Sequence, residues 1–173
     1  MSKIIVSAAI RGAHKIVNNA AKMRMMSGGV WGVPMVIRAP SGASNRGPTH
    51  GQSLEPWFMN VPGLKIAIPA TPYDAKGLLK SAIRGEDPVL FFEHKMLYAV
   101  KGDVPEEDYL VPFGQAAVRR EGSDATVIAI GGVLPKVMDA AEQLAVQGIS
   151  IEVIDPRTLV PLDTAAMIES VKK

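Results

Sequence analysis

Apolar positions recur along this chain in distinct rhythms, and each rhythm predicts an element. Between residues 15 and 26, Ile16, Val17, Ala20, Ala21 and Met23 fall on one face at helical spacing, with Asn18, Asn19, Lys22 and Arg24 opposite. Ser27-Gly28-Gly29 stops that helix. Val33 to Arg38 is a short β-branched run, the pattern of a buried strand. Leu64 to Ile68 predicts another strand. Thr71-Pro72-Tyr73-Asp74 then opens a helix: Thr71 can cap free N–H groups, Pro72 suits the first helical position, and Asp74 stands three residues after the cap. Its stripe is Ala75, Leu78, Leu79, Ala82 and Ile83, and Gly85 ends it. Val89 to Phe92 is apolar without alternation, as expected of a parallel strand buried on both faces.

Proline and glycine divide the chain between these elements. Ala39 to Pro56 holds Pro40, Gly42, Gly47, Pro48, Gly51 and Pro56 and predicts a long loop, a length usually kept for function. Residues 95–112 combine Gly102, Pro105 and Pro112 with Asp103, Glu106, Glu107 and Asp108, and predict a surface linker. Beyond it lie a strand over Thr126–Ile130, a helix over Val133–Gln147 closed by Gly148, a strand over Ile149–Ile154 and a last helix from Asp163, a ready N-cap. This second module shows two strands and at most two helices, so it is expected to take further strands from elsewhere or to be incomplete.

Composition narrows the classes. The chain has 173 residues, 47% hydrophobic and 21% charged, which excludes general disorder. Its net charge of +2 gives no drive toward nucleic acid or an anionic membrane. No apolar run approaches a membrane span. The run Ile4 to Ile10 is too short for a secretory leader and Arg11 follows at once, so a cytoplasmic chain is expected. Cysteine is absent, which removes disulfides, thiolate metal sites and a Cys nucleophile.

Candidate chemistry is sparse. His14, His50 and His94 share no metal-binding spacing, and neither a Gly-x-Ser-x-Gly elbow nor a phosphate-binding loop occurs. Gly28-Gly29 and Gly131-Gly132 read as caps and turns. His50 lies in Arg46-Gly47-Pro48-Thr49-His50-Gly51-Gln52-Ser53, where flanking glycines permit close backbone approach to a ligand and an imidazole can shuttle protons. Residue type alone leaves open a loop histidine with no role. His94 follows a strand, where parallel sheets bind ligands, yet a structural hydrogen bond explains it equally. Asp155 and Arg157 read as a structural pair, and the methionines at 23, 25, 26 and 35 as adaptable packing.

One resemblance goes further. Ile16-Val17-Asn18-Asn19-Ala20-Ala21-Lys22-Met23-Arg24, Pro34-Met35-Val36-Ile37-Arg38, His50-Gly51-Gln52-Ser53, Asp74-Ala75-Lys76-Gly77-Leu78-Leu79, Glu93-His94-Lys95-Met96-Leu97-Tyr98 and Ile154-Asp155-Pro156-Arg157-Thr158-Leu159-Val160-Pro161-Leu162-Asp163 are collinear with one family. In them the chain resembles the beta subunit of the thiamine-diphosphate-dependent decarboxylating component of pyruvate, branched-chain 2-oxo acid and acetoin dehydrogenases. The resemblance implies an α/β fold: a partial pyrimidine-binding domain with a parallel sheet over residues 1–100, a linker over 101–115, and the start of a transketolase C-terminal-type domain over 116–173. It implies oxidative decarboxylation of a 2-oxo acid, pyruvate foremost, with acyl transfer to a lipoyl arm. His50 falls on the family's active-site loop histidine. Backbone oxygens of a potassium site fall on Met35, Ala82, Ile83, Gly85 and Asp87, with Gly85 in place of an acidic residue. The cofactors implied are thiamine diphosphate shared with an alpha subunit, Mg²⁺ held by that subunit, and K⁺. The partners implied are the alpha subunit, in a heterotetramer, and the dihydrolipoyl acyltransferase core, in a bacterial cytoplasm or a mitochondrial matrix.

Against that family the chain is expected to be truncated at both ends. The glutamate that activates thiamine belongs upstream of every matching segment, so the isolated chain is expected to be inactive and no cofactor-binding residue is assigned. The alternative is a non-catalytic remnant that binds alpha subunits or the acyltransferase core.

Overall fold

The computed structural model describes the backbone of residues 4–7 and the whole of residues 12–42 and 47–173. Residues 8–11 of the first apolar run and 43–46 of the long loop lie outside the described residues.

Four strands run parallel in the first sheet: β1 (Ile4–Ser7), β2 (Met35–Ser41), β4 (Val89–His94) and β3 (Lys65–Ala67), in that spatial order. Alternate side chains enter two different cores. Ile37, Ile66, Leu90 and Phe92 join Ile16, Phe58 and Leu64 on one side. Val36, Ala67, Val89 and Phe91 join Leu78, Ala82 and Val111 on the other. A strand covered on both faces needs apolar residues at every position, which is why Val89–Phe92 shows no alternation.

Helices supply the covers. α3 (Pro72–Arg84) starts where the capping chemistry says: the Thr71 hydroxyl accepts the Asp74 N–H at 3.1 Å and Gly85 is the C-cap. It covers the second core with Leu78 and Ala82. The first core is covered by the segment from 15 to 26, which is a π-helix over Lys15–Ala20 running into α1 (Ala21–Met26), and by α2 (Glu55–Met59). The expected helix therefore exists, but its first half is wound more loosely; apolar spacing does not separate the two windings over so short a stretch. The expected loop over 39–56 is shorter than read, because β2 continues to Ser41 and α2 begins at Glu55. Phe58 of α2 is 2% exposed and tilts against Phe92, with ring centroids 6.4 Å apart.

The second module contains β5 (Ala117–Arg120), β6 (Ala125–Ile128), α4 (Leu134–Val146), β7 (Ile151–Asp155), β8 (Thr158–Val160) and α5 (Thr164–Val171). β7 is central, antiparallel to β5 and parallel to β6. The expectation of two strands here is corrected: β5 completes a three-stranded sheet, and β8 leaves the module to pair antiparallel with β3 on the edge of the first sheet. The borrowed edge makes one body of the two modules. Asp163 caps α5 through the Ala166 N–H at 3.1 Å, and its other oxygen accepts the Ala116 N–H at 2.9 Å. Among the described residues, no helix is long and apolar enough to cross a membrane.

Candidate functional site

Parallel strands place their carboxyl ends together, and β2 and β4 do so in register: Pro40 stands beside Glu93 and Ser41 beside His94. The chain leaves β2 through Gly42, whose backbone has φ +84°, a left-handed value that favours glycine. A Cβ on Gly42 would lie 2.2 Å from the His94 ring. A Cβ on Gly132 would lie 2.3 Å from the same ring. The imidazole thus packs against both the start of the long loop and the 3-10 turn Gly131–Val133 that leads into α4.

The His94 ring is held in one tautomer when neutral, because Nδ1 accepts the Met96 N–H at 3.3 Å and Nε2 then carries the proton. Burial holds its pKa below the usual value; the Glu55 charge opposes this, and Lys95 and Lys136 add to it. Glu93 accepts Arg38 Nε at 2.7 Å on one oxygen and the Tyr98 hydroxyl at 3.0 Å on the other. Burial and that bond raise the Tyr98 phenol. A cavity of about 380 Å³ opens between this end of β4, α3 and the 3-10 turn Lys95–Leu97, with Arg38, Glu93, His94 and Tyr98 on its wall.

His50 is exposed on the loop above this end. Its N–H donates to the Gly47 carbonyl at 3.2 Å, forming a turn, and the Gly42 N–H closes the loop on Gln52 O at 3.1 Å. Lys95 Nζ donates to the carbonyls of His50 and Gly42, the latter at 3.4 Å. His50 and His94 therefore belong to the same end of the sheet. Sequence reasoning missed Lys95, for which its place directly after His94 at a strand end was the available signal.

The other expected residues lie at the opposite end. Met35 opens β2, Ala82 and Ile83 occupy the last turn of α3, Gly85 caps it, and Asp87 precedes β4. The Val33 N–H reaches Glu86 O at 3.1 Å, drawing these segments together. The Ala82 carbonyl already accepts the Gly85 N–H at 3.3 Å. The Asp87 carboxylate is paired with Arg24 at 3.1 Å and Lys65 at 2.9 Å. Burial pushes this carboxyl up, but the hydrogen bond and charge of Lys65, with the Arg24 charge, outweigh it and hold it below the usual range. The two sets of residues thus form two places on the fold. Among the described residues, no three His, Asp or Glu side chains converge on a metal-binding arrangement.

Known proteins agree with this architecture. Residues 4–101 match the family model for the transketolase pyrimidine binding domain, and residues 114–173 match that for the transketolase C-terminal domain. The 2-oxoisovalerate dehydrogenase subunit beta of Bacillus subtilis (strain 168) is 52% identical over 162 residues, 92% of this chain and 50% of the relative. The acetoin:2,6-dichlorophenolindophenol oxidoreductase subunit beta of Cupriavidus necator is 48% identical, over 91% of this chain and 47% of its own length. The pyruvate dehydrogenase E1 component subunit beta of Rhizobium meliloti is 45% identical, over 95% and 36% respectively. The chain spans about half the length, or less, of these curated relatives. A solved structure described as a split gene transketolase, inactive beta4 tetramer, has the same fold at TM-score 0.77 and 24% identity, over 97% of this chain and 54% of that one. The chain belongs to the transketolase pyrimidine-binding-domain family, with a transketolase C-terminal domain following in the same polypeptide.

Proposed function

We propose that this chain is part of the beta subunit of a thiamine-diphosphate-dependent 2-oxo acid dehydrogenase component, with pyruvate as the foremost substrate, and that it contributes the His50 imidazole to acyl transfer onto a lipoyl arm. The observation that carries the reading is the exposed His50, presented at the carboxyl ends of β2 and β4 in a chain 45–52% identical to beta subunits so named. That those relatives are beta subunits supports an alpha subunit as partner; the proposal extends this to an acyltransferase core, in a bacterial cytoplasm or a mitochondrial matrix.

Thiamine diphosphate supplies the carbanion chemistry in such components when bound. The resemblance puts the divalent ion of the diphosphate on the alpha subunit, and no step is routed through it here. What this chain does is hold an imidazole in solvent reach: as one sulfur of the lipoyl disulfide takes the acyl carbon and the S–S bond breaks, the protonated ring can give its proton to the sulfur released. At the other end of the sheet, carbonyls of Met35, Ala82, Ile83, Gly85 and Asp87 form the proposed K⁺ site. The Asp87 carboxylate already pairs with Arg24 and Lys65, which fits a site built from backbone oxygens.

A hybrid tests the reading. Residues 16–173 replace the matching segment of the Bacillus subtilis beta subunit, and the product is assembled with its alpha subunit. Acyl transfer to lipoamide is expected to persist in the hybrid. His50→Ala should lower it about 100-fold or more, the scale of a lost general acid–base group, with assembly intact. Equal turnover by the His50→Ala hybrid sinks the reading.

A further inference from the structure

The loop that carries His50 is tied at both ends to one amine. Lys95 follows His94, the last residue of β4, and its Nζ reaches the carbonyl of Gly42, where the loop begins, and the carbonyl of His50 itself. A stretch of eight residues can extend more than 20 Å. Here its two ends meet at a single ammonium, and the Gly42 N–H to Gln52 O bond closes the neck beside it.

The amine is itself fixed. β4 is the strand flanked by both β2 and β3, and Phe91 and Phe92, just before its end, are each 1% exposed. The His94 ring cannot shift toward either neighbour without meeting Gly42 or Gly132 backbone. Lys95 is half-buried; its bond to the Gly42 carbonyl is part-buried and that to the His50 carbonyl exposed, and both carry the ammonium charge that makes them stronger than neutral ones. Lysine suits the position chemically: three donors on a compact head can serve two diverging carbonyls, and it accepts nothing.

We propose that Lys95 is a positioning residue for His50: its ammonium clamps the backbone at Gly42 and His50 and so fixes where the imidazole is presented. The catalytic consequence rests on the function proposed above; the clamp does not. Lys95→Met in the full chain keeps the length of the side chain and removes the donors. Exchange of the Gly42 and His50 amides, the ones bonded within the loop, should then quicken about tenfold or more, the ratio that one charge-assisted hydrogen bond supplies, with α3 and β4 amides unchanged. In nuclear magnetic resonance spectra the His50 ring signals should move toward those of an unstructured histidine while the His14 signals stay in place. Unchanged exchange at Gly42 and His50, or acceleration spread evenly over α3 and the first sheet, overturns the clamp. In the hybrid subunit, Lys95→Met should lower kcat for acyl transfer and leave the KM for the 2-oxo acid unchanged. If His50→Ala proves silent there while Lys95→Met still frees the loop, the functional reading falls and the clamp stands.

Discussion

Replacing Asp74 by alanine removes one of two carboxylates from a closed charge quartet. Asp74 and Asp155 are fully buried, and the Arg119 and Arg157 side chains facing them are 19% and 15% exposed. Asp74 Oδ2 accepts the Thr71 hydroxyl at 2.6 Å and pairs with Arg119, while Oδ1 faces Arg157 Nε at 3.1 Å. Asp155 takes Arg119 Nη2 at 2.7 Å and the Arg157 N–H at 3.0 Å. Without Asp74, Arg119 keeps Asp155, while the mostly buried Arg157 guanidinium loses the carboxylate it faces. Stranding a charge in this way costs about 3–5 kcal/mol. Losing the Thr71 hydrogen bond adds about 1 kcal/mol, and the partial exposure of both arginines returns some of the total, because either can swing toward solvent. A loss of about 3 kcal/mol is expected, a large share of a normal stability of about 5–15 kcal/mol. Urea unfolding followed by circular dichroism measures it. A cycle with Arg157→Met tests the cause, since removing the opposite charge together with Asp74 should recover about 1 kcal/mol or more relative to additive losses. A loss below about 1 kcal/mol, or strict additivity, refutes the charge argument.

Two further substitutions probe the scaffold. Gly77 is interior to α3, where alanine normally stabilises by about 0.5–1 kcal/mol. Here its Cβ would lie 2.5 Å from Val111 Cγ2 and 2.9 Å from Tyr109, and Val111 is 2% exposed, so overpacking by about 1–3 kcal/mol wins and Gly77→Ala should lower the melting temperature. The Asp87 carboxyl is depressed in the folded state, so the stability its pairs supply is present above the unfolded value of 3.8 and lost as pH falls through the lower folded value. Lys65→Met should therefore lower the urea midpoint at pH 7 by an amount worth about 0.5–1 kcal/mol, and the gap to wild type should narrow between about pH 5 and pH 3; a gap independent of pH counts against the pair.

What the sequence reveals and what it hides divide along a physical line. Thr71, Pro72, Asp74 and Gly85 locate α3 to the residue because capping is chemistry within one turn. The apolar run at Val89–Phe92 announces a doubly covered strand for the same local reason. β8 is three residues long, and its place is decided by Ile66 and Ala67, far upstream in the chain. β5 was invisible because Arg119 pairs with the buried Asp74 and Asp155, and a charged residue at a half-buried inward strand position reverses the usual pattern. Pro56 punctuates the loop in composition yet sits at the start of α2, where its missing N–H costs nothing. At the site, His50 stood out through its glycine neighbours and the resemblance. Lys95 could not stand out, because its partners are carbonyls, and every residue has one.

That last point bears on how the fold makes a site. The placement of His50 is set less by the loop around it than by the end of β4, where three parts of the chain converge. β2 delivers Gly42, the second module delivers Gly132, and the His94 ring packs against both. Lys95 then carries that fixed point to the loop. The antiparallel pairing of β8 with β3 and the Asp74 quartet hold the second module against the first, and so hold Gly132 against His94. A change that loosens the junction therefore reaches the His50 loop through packed backbone, without touching any residue of the loop itself.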